Sequence, residues 1–352
     1  MHAPPPPAIA GHPVAQHGPP FVVAEIGVNH DGDPAKALSL VAAAADAGAD
    51  AVKLQVFDPA RLVTADAATA GYQRDRSQGD RQRAMLERLV LPRPDLQRTV
   101  AMARDRGLAV LATPFDEDAA DFVVALGVDA IKIGSGDLTH RALLAHVARA
   151  GRPLVVSTGM ATMDEVTAAV LGIRAVAATV PLVLLHCVSA YPAPPEAANL
   201  RAIPALHAAT GLPVGWSDHV PGPETAVAAV ALGAPILERH LTLDRTAPGP
   251  DHAASDEPDE LAAYVRAVRR AHAALGSGCK APASVESDVR ATARRSLVAR
   301  VPIPAGTLIE PRMLDARRPG TGLPAETLPQ VCGRRTRVAI AADALIDEEM
   351  LA

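Results

Sequence analysis

The chain has 352 residues, 49% hydrophobic and 21% charged, with a formal net charge of −5 and an isoelectric point near 6.2. That length and apolar content can bury a large core and suit one big domain plus a small one. The slight acid excess without a long basic run excludes a nucleic-acid partner, no apolar run reaches the roughly 18 residues of a membrane span, and Cys187, Cys279 and Cys332 are too scattered for a disulfide framework or a thiolate metal site.

Residues 1–20 are proline-rich and lack a basic segment followed by an apolar one, so they read as a flexible tail rather than a secretory signal. With the sparse cysteines, this points to a cytoplasmic protein. Eight short apolar runs follow: Phe21–Val28, Ala51–Phe57, Leu108–Thr113, Ala130–Ile133, Pro153–Ser157, Pro181–Ser189, Pro213–Trp216 and Pro235–His240. Stretches of helical period separate them. Pro34–Ala47 stops at Gly48, Asp95–Arg106 at Gly107, and Glu224–Leu232 at Gly233, while Asp164–Ala178 opens on Thr162 and Glu165 in the spacing of a capping box. Near-continuous apolar runs alternating with amphipathic helices are the pattern of buried parallel strands. Eight such units over residues 21–276 predict an α/β fold, a closed (β/α)8 TIM barrel. A doubly wound open sheet is the runner-up, but Glu25–Gly32 is not the Gly-rich turn that fold usually carries after its first strand.

The connection Asp58–Pro94 is long and contains Tyr72, Arg74, Arg76 and Arg81. It reads as an active-site loop with a short helix near Arg81–Val90. The last helix, Pro258–Leu275, runs into a polar linker at residues 277–293, and residues 294–352 form a small, mostly β module with alternating runs at Ser296–Val301 and Arg337–Ile340.

In such a barrel the C-terminal strand ends face the active site. In order they carry Glu25 and Asn29; Lys53 and Gln55; Thr113; Lys132 and Ser135; Ser157 and Thr158; His186, Ser189 and Tyr191; Ser217, Asp218 and His219; and Glu238 and His240. His219 and His240 close successive strands 21 residues apart, so the fold brings both imidazoles to one edge. Beside Glu238, Asp218 and Asp251 they make a divalent-metal site, against the bland alternative of two unrelated loop histidines. Of four lysines in the chain, Lys53 and Lys132 fall inside apolar runs, where charge is costly without a partner or a task. Together with the turns Gly134-Ser-Gly136 and Ser157-Thr-Gly159 they suit an anionic, phosphorylated substrate. Glu25, also in an apolar run, is either a lysine's partner or a general acid/base. Asp116 and Glu117 read as caps of the following helix, and His30 is open to either a structural or a functional reading.

Several motifs resemble the sialic acid synthase family: Ala24-Glu-Ile-Gly-Val-Asn-His-Asp-Gly32, Val52-Lys-Leu-Gln55, Thr113-Pro-Phe-Asp116, Lys132-Ile-Gly-Ser-Gly-Asp137, Ser157-Thr-Gly-Met160, Ser189-Ala-Tyr-Pro192, Gly215-Trp-Ser-Asp-His219, Glu238-Arg-His-Leu-Thr-Leu-Asp244 and Pro248-Gly-Pro-Asp-His-Ala-Ala-Ser255. Residues 294–352 are similar to that family's antifreeze-like SAF domain, with Arg294-Arg-Ser-Leu-Val298 and Arg318-Pro-Gly-Thr-Gly322. The resemblance implies a metal-dependent condensation of phosphoenolpyruvate with an N-acetylmannosamine-type sugar, giving a nonulosonic acid and phosphate with C–O cleavage. It places Mn2+ or Mg2+ on His219 and His240, and phosphoenolpyruvate on Lys53, Thr113, Lys132, Ser135, Ser157, Ser189 and Ser217. Glu25 falls at the acid/base position, and the sugar falls on Gln55, Asp137, Tyr191 and Asp251. Arg318 matches an arginine inserted into the partner's barrel, which implies a domain-swapped homodimer. Leu54, Asp137 and Ser189 depart from residues frequent in the family, and the last two leave the sugar open among neuraminate, legionaminate and pseudaminate types or a 6-phosphorylated acceptor. Two other readings remain: a Schiff-base aldolase using Lys53 or Lys132, and a barrel without catalysis that binds carbohydrate.

Overall fold

The structure, a computed structural model, describes residues 6–69 and 81–352. Its chain divides into two compact units, residues 1–276 and 277–352. In the first, eight parallel strands close into a barrel: β1 Phe21–Glu25, β2 Ala51–Val56, β3 Ala109–Pro114, β4 Ala130–Ile133, β5 Leu154–Ser157, β6 Leu182–Cys187, β7 Val214–Asp218 and β8 Ile236–His240. Each strand pairs with its sequence neighbours, and β8 closes on β1 with His240 opposite Glu25. The predicted TIM barrel is the observed fold. Eight helices alternate with these strands: α1 Pro34–Asp46, α2 Arg93–Asp105, α3 Glu117–Leu126, α4 Arg141–Arg149, α5 Met163–Val176, α6 Ala202–Thr210, α7 Glu224–Ala231 and α8 Pro258–Leu275.

Local chemistry sets their ends. Asp33 accepts from the Ala35 amide to start α1, and Ala37, Leu40, Val41 and Ala44 lie buried on one stripe of that helix. Asp116 caps α3 as expected, and Thr162 with Glu165 forms the expected reciprocal box at α5. In the long second connection a helix covers Gln82–Arg88, close to the expected position. Tyr72, Arg74 and Arg76 lie outside the described residues.

Strand alternation sorts side chains into two populations. Val52, Leu54, Val110, Ile131, Val156 and Trp216 point outward and pack under the helices. Phe21, Val23, Ala51, Ala109, Leu111, Ala130, Val155, Val183, Leu185 and Ile236 point inward and fill the lower barrel. Above them the inward positions turn polar, and the site begins there.

The flexible tail expected for residues 1–20 needs correction. Ala8–Ile9 and His12–Pro13 pair as a hairpin, and Ile9 and Val14, both fully buried, join the interior cluster of the barrel. Gln16 accepts from the Val214 amide, and the His17 amide donates to Gly233. Sequence-level proline content hid two apolar residues that cover the barrel floor. Ile9→Ala should therefore cost about 2–5 kcal/mol, measured by chemical denaturation; an unchanged midpoint would show that the hairpin rests on the barrel without holding it.

In the second unit, β9 Ser296–Ala299 pairs antiparallel with β10 Leu314–Arg317. Leu297, Ala299, Ile303, Ile309, Leu314, Val331, Ile340, Ile346 and Leu351 form its core. The run Arg337–Ile340 is not a strand; it contributes one bridge, Ile303 to Ile340. The segment read as a plain linker carries a helical turn at Ser284–Glu286 and a short helix at Ser287–Ala293. Arg318 follows β10 and is exposed.

Candidate active site

At the top of the barrel interior two carboxylates and two lysines meet. Lys53 Nζ lies 2.6 Å from Glu25 Oε2 and 2.6 Å from Glu238 Oε1. Lys132 Nζ lies 3.7 Å from Glu238 Oε2 and donates to the Ile133 carbonyl at 3.3 Å. Ser217 donates to Glu238 at 3.1 Å, and the Gly27 amide donates to Glu25 at 2.8 Å. All four charged side chains are buried. They arrive together because β1, β2, β4 and β8 each place an inward residue at the same height. Sequence reasoning assigned Glu238 to the metal site; the structure puts it at the centre of the lysine pair.

Burial and crowding separate these groups electrostatically. Burial raises the Glu25 carboxyl to about 8, with Lys53 opposing and Glu238 reinforcing the rise. Burial also acts to raise Glu238, but Lys132 and Lys53 outweigh it and hold that carboxylate well below its usual range. Lys132 is pushed down to about 8 by burial, despite Glu238. Lys53 runs the other way: burial is overcome by Glu238 and Glu25, which keep it charged. Burial thus favours the proton-bearing form of Glu25, while the lysines favour an ionised Glu238 and the carboxyl groups a charged Lys53.

One wall is built of small polar groups. Ser135 Oγ accepts from the Gly159 amide at 3.0 Å and lies 3.1 Å from Cys187 Sγ. A Cβ on Gly159 would meet Ser189, Cys187 and Ser135 side-chain atoms at 2.5, 2.7 and 2.8 Å, so only glycine fits this cradle. Thr113 Oγ1 and Ser157 Oγ are buried and make no hydrogen bond among the described residues. Buried hydroxyls without a partner are free to bond a ligand in the barrel interior. Cys187 escaped the sequence reading, although the inward alternation Val183, Leu185, Cys187 marks it.

On the β7–β8 side, the His219 and His240 rings lie 5.4 Å apart, with the Tyr191 ring 4.2 Å from the first and 5.9 Å from the second. His219 Nδ1 bonds the Val188 carbonyl at 2.8 Å, which leaves Nε2 for a ligand. His240 Nδ1 makes no hydrogen bond and stands 3.5 Å from Asp251 Oδ2. Burial drives both imidazoles toward the neutral form, His219 to about 4, and raises Asp251 to about 6. Among the described residues no three His, Cys, Asp or Glu side chains form a metal cluster.

Several expected members stand elsewhere. Asp218 alternates outward, taking bonds from Val220, Thr225 and Tyr264 behind the sheet, so it is not beside the imidazoles. His186 also points outward, bonding the Ala198 carbonyl and packing on Trp216. Asn29 ties its loop to Leu241 and Ser255, and His30 accepts from Gly32 within its own turn. Gln55 points inward and donates to the Gly27 carbonyl at 2.9 Å. Asp137 sits half-buried on the turn after β4, its carboxyl raised chiefly by burial. A cavity of about 320 Å3 adjoins Gln55, walled by Phe57, Pro59, Leu91 and Leu96 and by Asp58, Arg61, Arg93, Asp116 and Asp118.

A family model described as NeuB family matches residues 40–280, and one described as SAF domain matches residues 294–352. The chain belongs to the NeuB family. It is 39% identical over 326 residues to the N,N'-diacetyllegionaminic acid synthase of Legionella pneumophila, covering 92% of each chain. It is 36% identical to the human N-acetylneuraminate-9-phosphate synthase, covering 96% of this chain and 93% of that one. The crystal structure of an N-acetylneuraminic acid synthetase from Leptospira borgpetersenii superposes with a TM-score of 0.72 at 32% identity, over 80% of this chain and 94% of that one. This NeuB-family chain is therefore an enzyme of the synthase type, with a TIM barrel followed by an SAF domain. No helix among the described residues is long and apolar enough to cross a membrane.

Proposed function

We propose that the enzyme condenses phosphoenolpyruvate with an N-acetylmannosamine-type sugar, releasing phosphate and forming a nonulosonic acid. The observation that carries this reading is the buried centre in which Lys53 bridges Glu25 and Glu238 and Lys132 approaches Glu238, in a barrel interior that also holds the unpartnered Thr113 and Ser157 hydroxyls. A small anionic substrate fits that set: the lysines offset part of its charge, and the Ser135, Ser157, Thr113, Ser189 and Ser217 side chains offer short polar contacts. A Schiff-base aldolase on Lys53 fits less well, because Lys53 stays charged beside Glu25 and Glu238 and so is a poor nucleophile; on Lys132, pushed down to about 8, it predicts borohydride trapping with pyruvate in place of chelator-sensitive phosphate release.

His219 and His240 suit a divalent cation such as Mn2+ or Mg2+: two neutral imidazoles, one with its second nitrogen fixed by a carbonyl, and the rest of the coordination shell left to substrate and water. Bound there, the ion would act as a Lewis acid on the acceptor aldehyde. The chain's own residues do the rest. The lysine pair holds phosphoenolpyruvate with C3 toward the aldehyde carbon, where the new C–C bond forms. Glu25 gives its proton to the aldehyde oxygen, and the resulting carboxylate takes a proton from the water that adds to C2. Phosphate then leaves by C–O cleavage, taking the proton of the C2 hydroxyl as that hydroxyl becomes the keto group.

Strand order supports a position for the acceptor's far end. His240 on β8 and Gln55 on β2 are separated by β1 alone, and Gln55 lies two residues beyond the Lys53 position in register with Glu25 and His240, roughly 12 Å in all, a span for an open-chain acylated hexose that continues into the cavity beside Gln55. Three carboxylates line that cavity against two guanidiniums, and Arg61 is already paired with Asp116 and Asp118. Arg81 is paired with Asp66. These charges favour an uncharged acylated sugar end over a 6-phosphate. Phosphate release should be measured with Mn2+ across N-acetylmannosamine, its 6-phosphate, mannose and 2,4-diacetamido-2,4,6-trideoxymannose. Release with an unphosphorylated acylated sugar, abolished by chelator, is expected. Turnover confined to the 6-phosphate would overturn the acceptor assignment, and release insensitive to chelator would overturn the metal.

The exposed Arg318 of the SAF domain is proposed to complete the partner's site in a domain-swapped homodimer. Mixing Glu25→Gln with Arg318→Ala subunits should then restore activity that neither variant has alone, since one barrel in the mixed dimer receives an intact Glu25 and an intact Arg318. Absence of complementation in a dimer shown to exchange subunits would rule out the swap.

A further inference from the structure

Behind the imidazole pair, on the outer face of the barrel, lies a second buried charge cluster that the chemistry above does not use. Arg239 and Asp218 are register partners on β8 and β7, and both point outward. Each immediately precedes one of the two histidines, so alternation sends Arg239 and Asp218 back under the helices while His240 and His219 face the mouth. Arg239 Nη1 donates to the Val220 carbonyl and lies 3.5 Å from Asp218 Oδ1, and Nη2 donates to Asp256 Oδ1. Asp218 accepts from the Val220 amide at 2.9 Å, from Thr225 at 3.1 Å, and from the Tyr264 hydroxyl of α8 at 3.2 Å. The Tyr264 ring also lies under the guanidinium, 5.4 Å away. Asp256 in turn ties itself to β8 through its backbone: its amide donates to the His240 carbonyl and its carbonyl accepts from Thr242, both at 2.9 Å.

One guanidinium therefore grips three places at once. It holds the chain just after His219, at Val220; the β7 residue before it, at Asp218; and the strand-like segment that brackets His240 and leads back to Asp251, at Asp256. The Arg239 and Asp218 side chains are 2% and 0% exposed, and Tyr264 is 1% exposed. A buried charge of this kind is costly, and a well-packed apolar residue would usually stabilise the fold as well. Its rigid planar fork offers something an apolar side chain cannot: simultaneous, directional bonds to both strand ends.

We propose that Arg239, braced by Asp218, Asp256 and Tyr264, is a positioning residue that fixes the spacing and orientation of His219 and His240 for a shared divalent cation. The proposal rests on the metal reading of that pair. Arg239 touches neither substrate nor metal and acts through the strand ends. Removal of such an outer support typically weakens metal binding about 10- to 100-fold.

The test is Mn2+ binding, followed by electron paramagnetic resonance of the free ion on the whole chain, together with thermal melting. Arg239→Lys keeps the charge but cannot hold Val220, Asp218 and Asp256 together. Tyr264→Phe removes only the hydroxyl that bonds Asp218, and guards against a misfolded lysine variant. Val155→Ala in the lower barrel serves as a control for general destabilisation. Mn2+ affinity should fall about 10- to 100-fold in Arg239→Lys, fall by a smaller factor in Tyr264→Phe, and hold within about twofold in Val155→Ala even if that variant melts earlier. Unaltered Mn2+ affinity in both Arg239→Lys and Tyr264→Phe would overturn the proposal, as would a loss that merely tracks melting temperature across all three. His219→Ala separates the underlying reading: if it binds Mn2+ as tightly as the unaltered chain, the metal pair itself is wrong and the positioning role falls with it.

Discussion

Glu25→Gln is expected to lower kcat by about 10²- to 10⁴-fold, the usual contribution of a positioned acid/base, while phosphoenolpyruvate still binds. Glutamine keeps the shape and can still accept from the Gly27 amide, so the barrel closes as before. It cannot release and recover the proton that the aldehyde oxygen and the C2 water require. Burial raises the Glu25 carboxyl to about 8, so the acid form is the populated one at neutral pH and kcat should fall as pH climbs past that value. Lys132, pushed down to about 8 by its own burial, places a limb at the same pH through substrate binding, so the comparison belongs at saturating phosphoenolpyruvate. A glutamine variant with wild-type kcat would remove Glu25 from the chemistry.

The same substitution has a stability signature of opposite sense to ordinary carboxylates. Folded Glu25 holds its proton more tightly than unfolded Glu25, so folding takes up a proton between pH 4.5 and about 8. Its contribution is complete below pH 4.5 and is lost as pH rises through 8. The wild-type melting temperature should therefore drop more steeply over that interval than that of Glu25→Gln. Equal slopes would mean that Glu25 is ionised in the folded state throughout.

Most of the barrel was legible in the sequence because its signals are local. Eight apolar runs, Asp33, Asp116, Thr162 and Glu165 at helix starts, and glycines after helix ends all act within a few residues of themselves. The inward polar layer was legible for the same reason: a lysine in an apolar strand announces itself. What sequence could not give was the side of the sheet on which a strand-end residue stands when a run ends irregularly. Asp218 and His219 are adjacent, yet one lies under α8 and the other in the mouth. Nor could composition reveal that Ile9 and Val14, isolated among prolines, cover the barrel floor, since that contact joins residues far apart in the chain.

Lys53→Met is expected to abolish turnover and to destabilise the fold by about 3 kcal/mol, the low end for breaking a buried ion pair. Lys53 lies 2.6 Å from the carboxyl groups of both Glu25 and Glu238, and its loss affects them differently. Glu25 already favours its neutral form and becomes an ordinary buried acid. Glu238 cannot follow as easily: Lys132 at 3.7 Å and the Ser217 hydroxyl are its remaining partners, and the site loses the cation that most closely balances it. The cost therefore sits on Glu238. Lys53→Met combined with Glu238→Gln should recover at least half of the lost stability, measured by chemical denaturation, while leaving the enzyme inactive. Recovery without activity, set beside turnover retained in the Glu238→Gln single variant, would show that Lys53 is needed for the reaction apart from its service to the fold. If the double variant is no more stable than the single, the penalty lies in packing around the methionine, and the charge balance between Lys53 and Glu238 is not what holds the barrel mouth together.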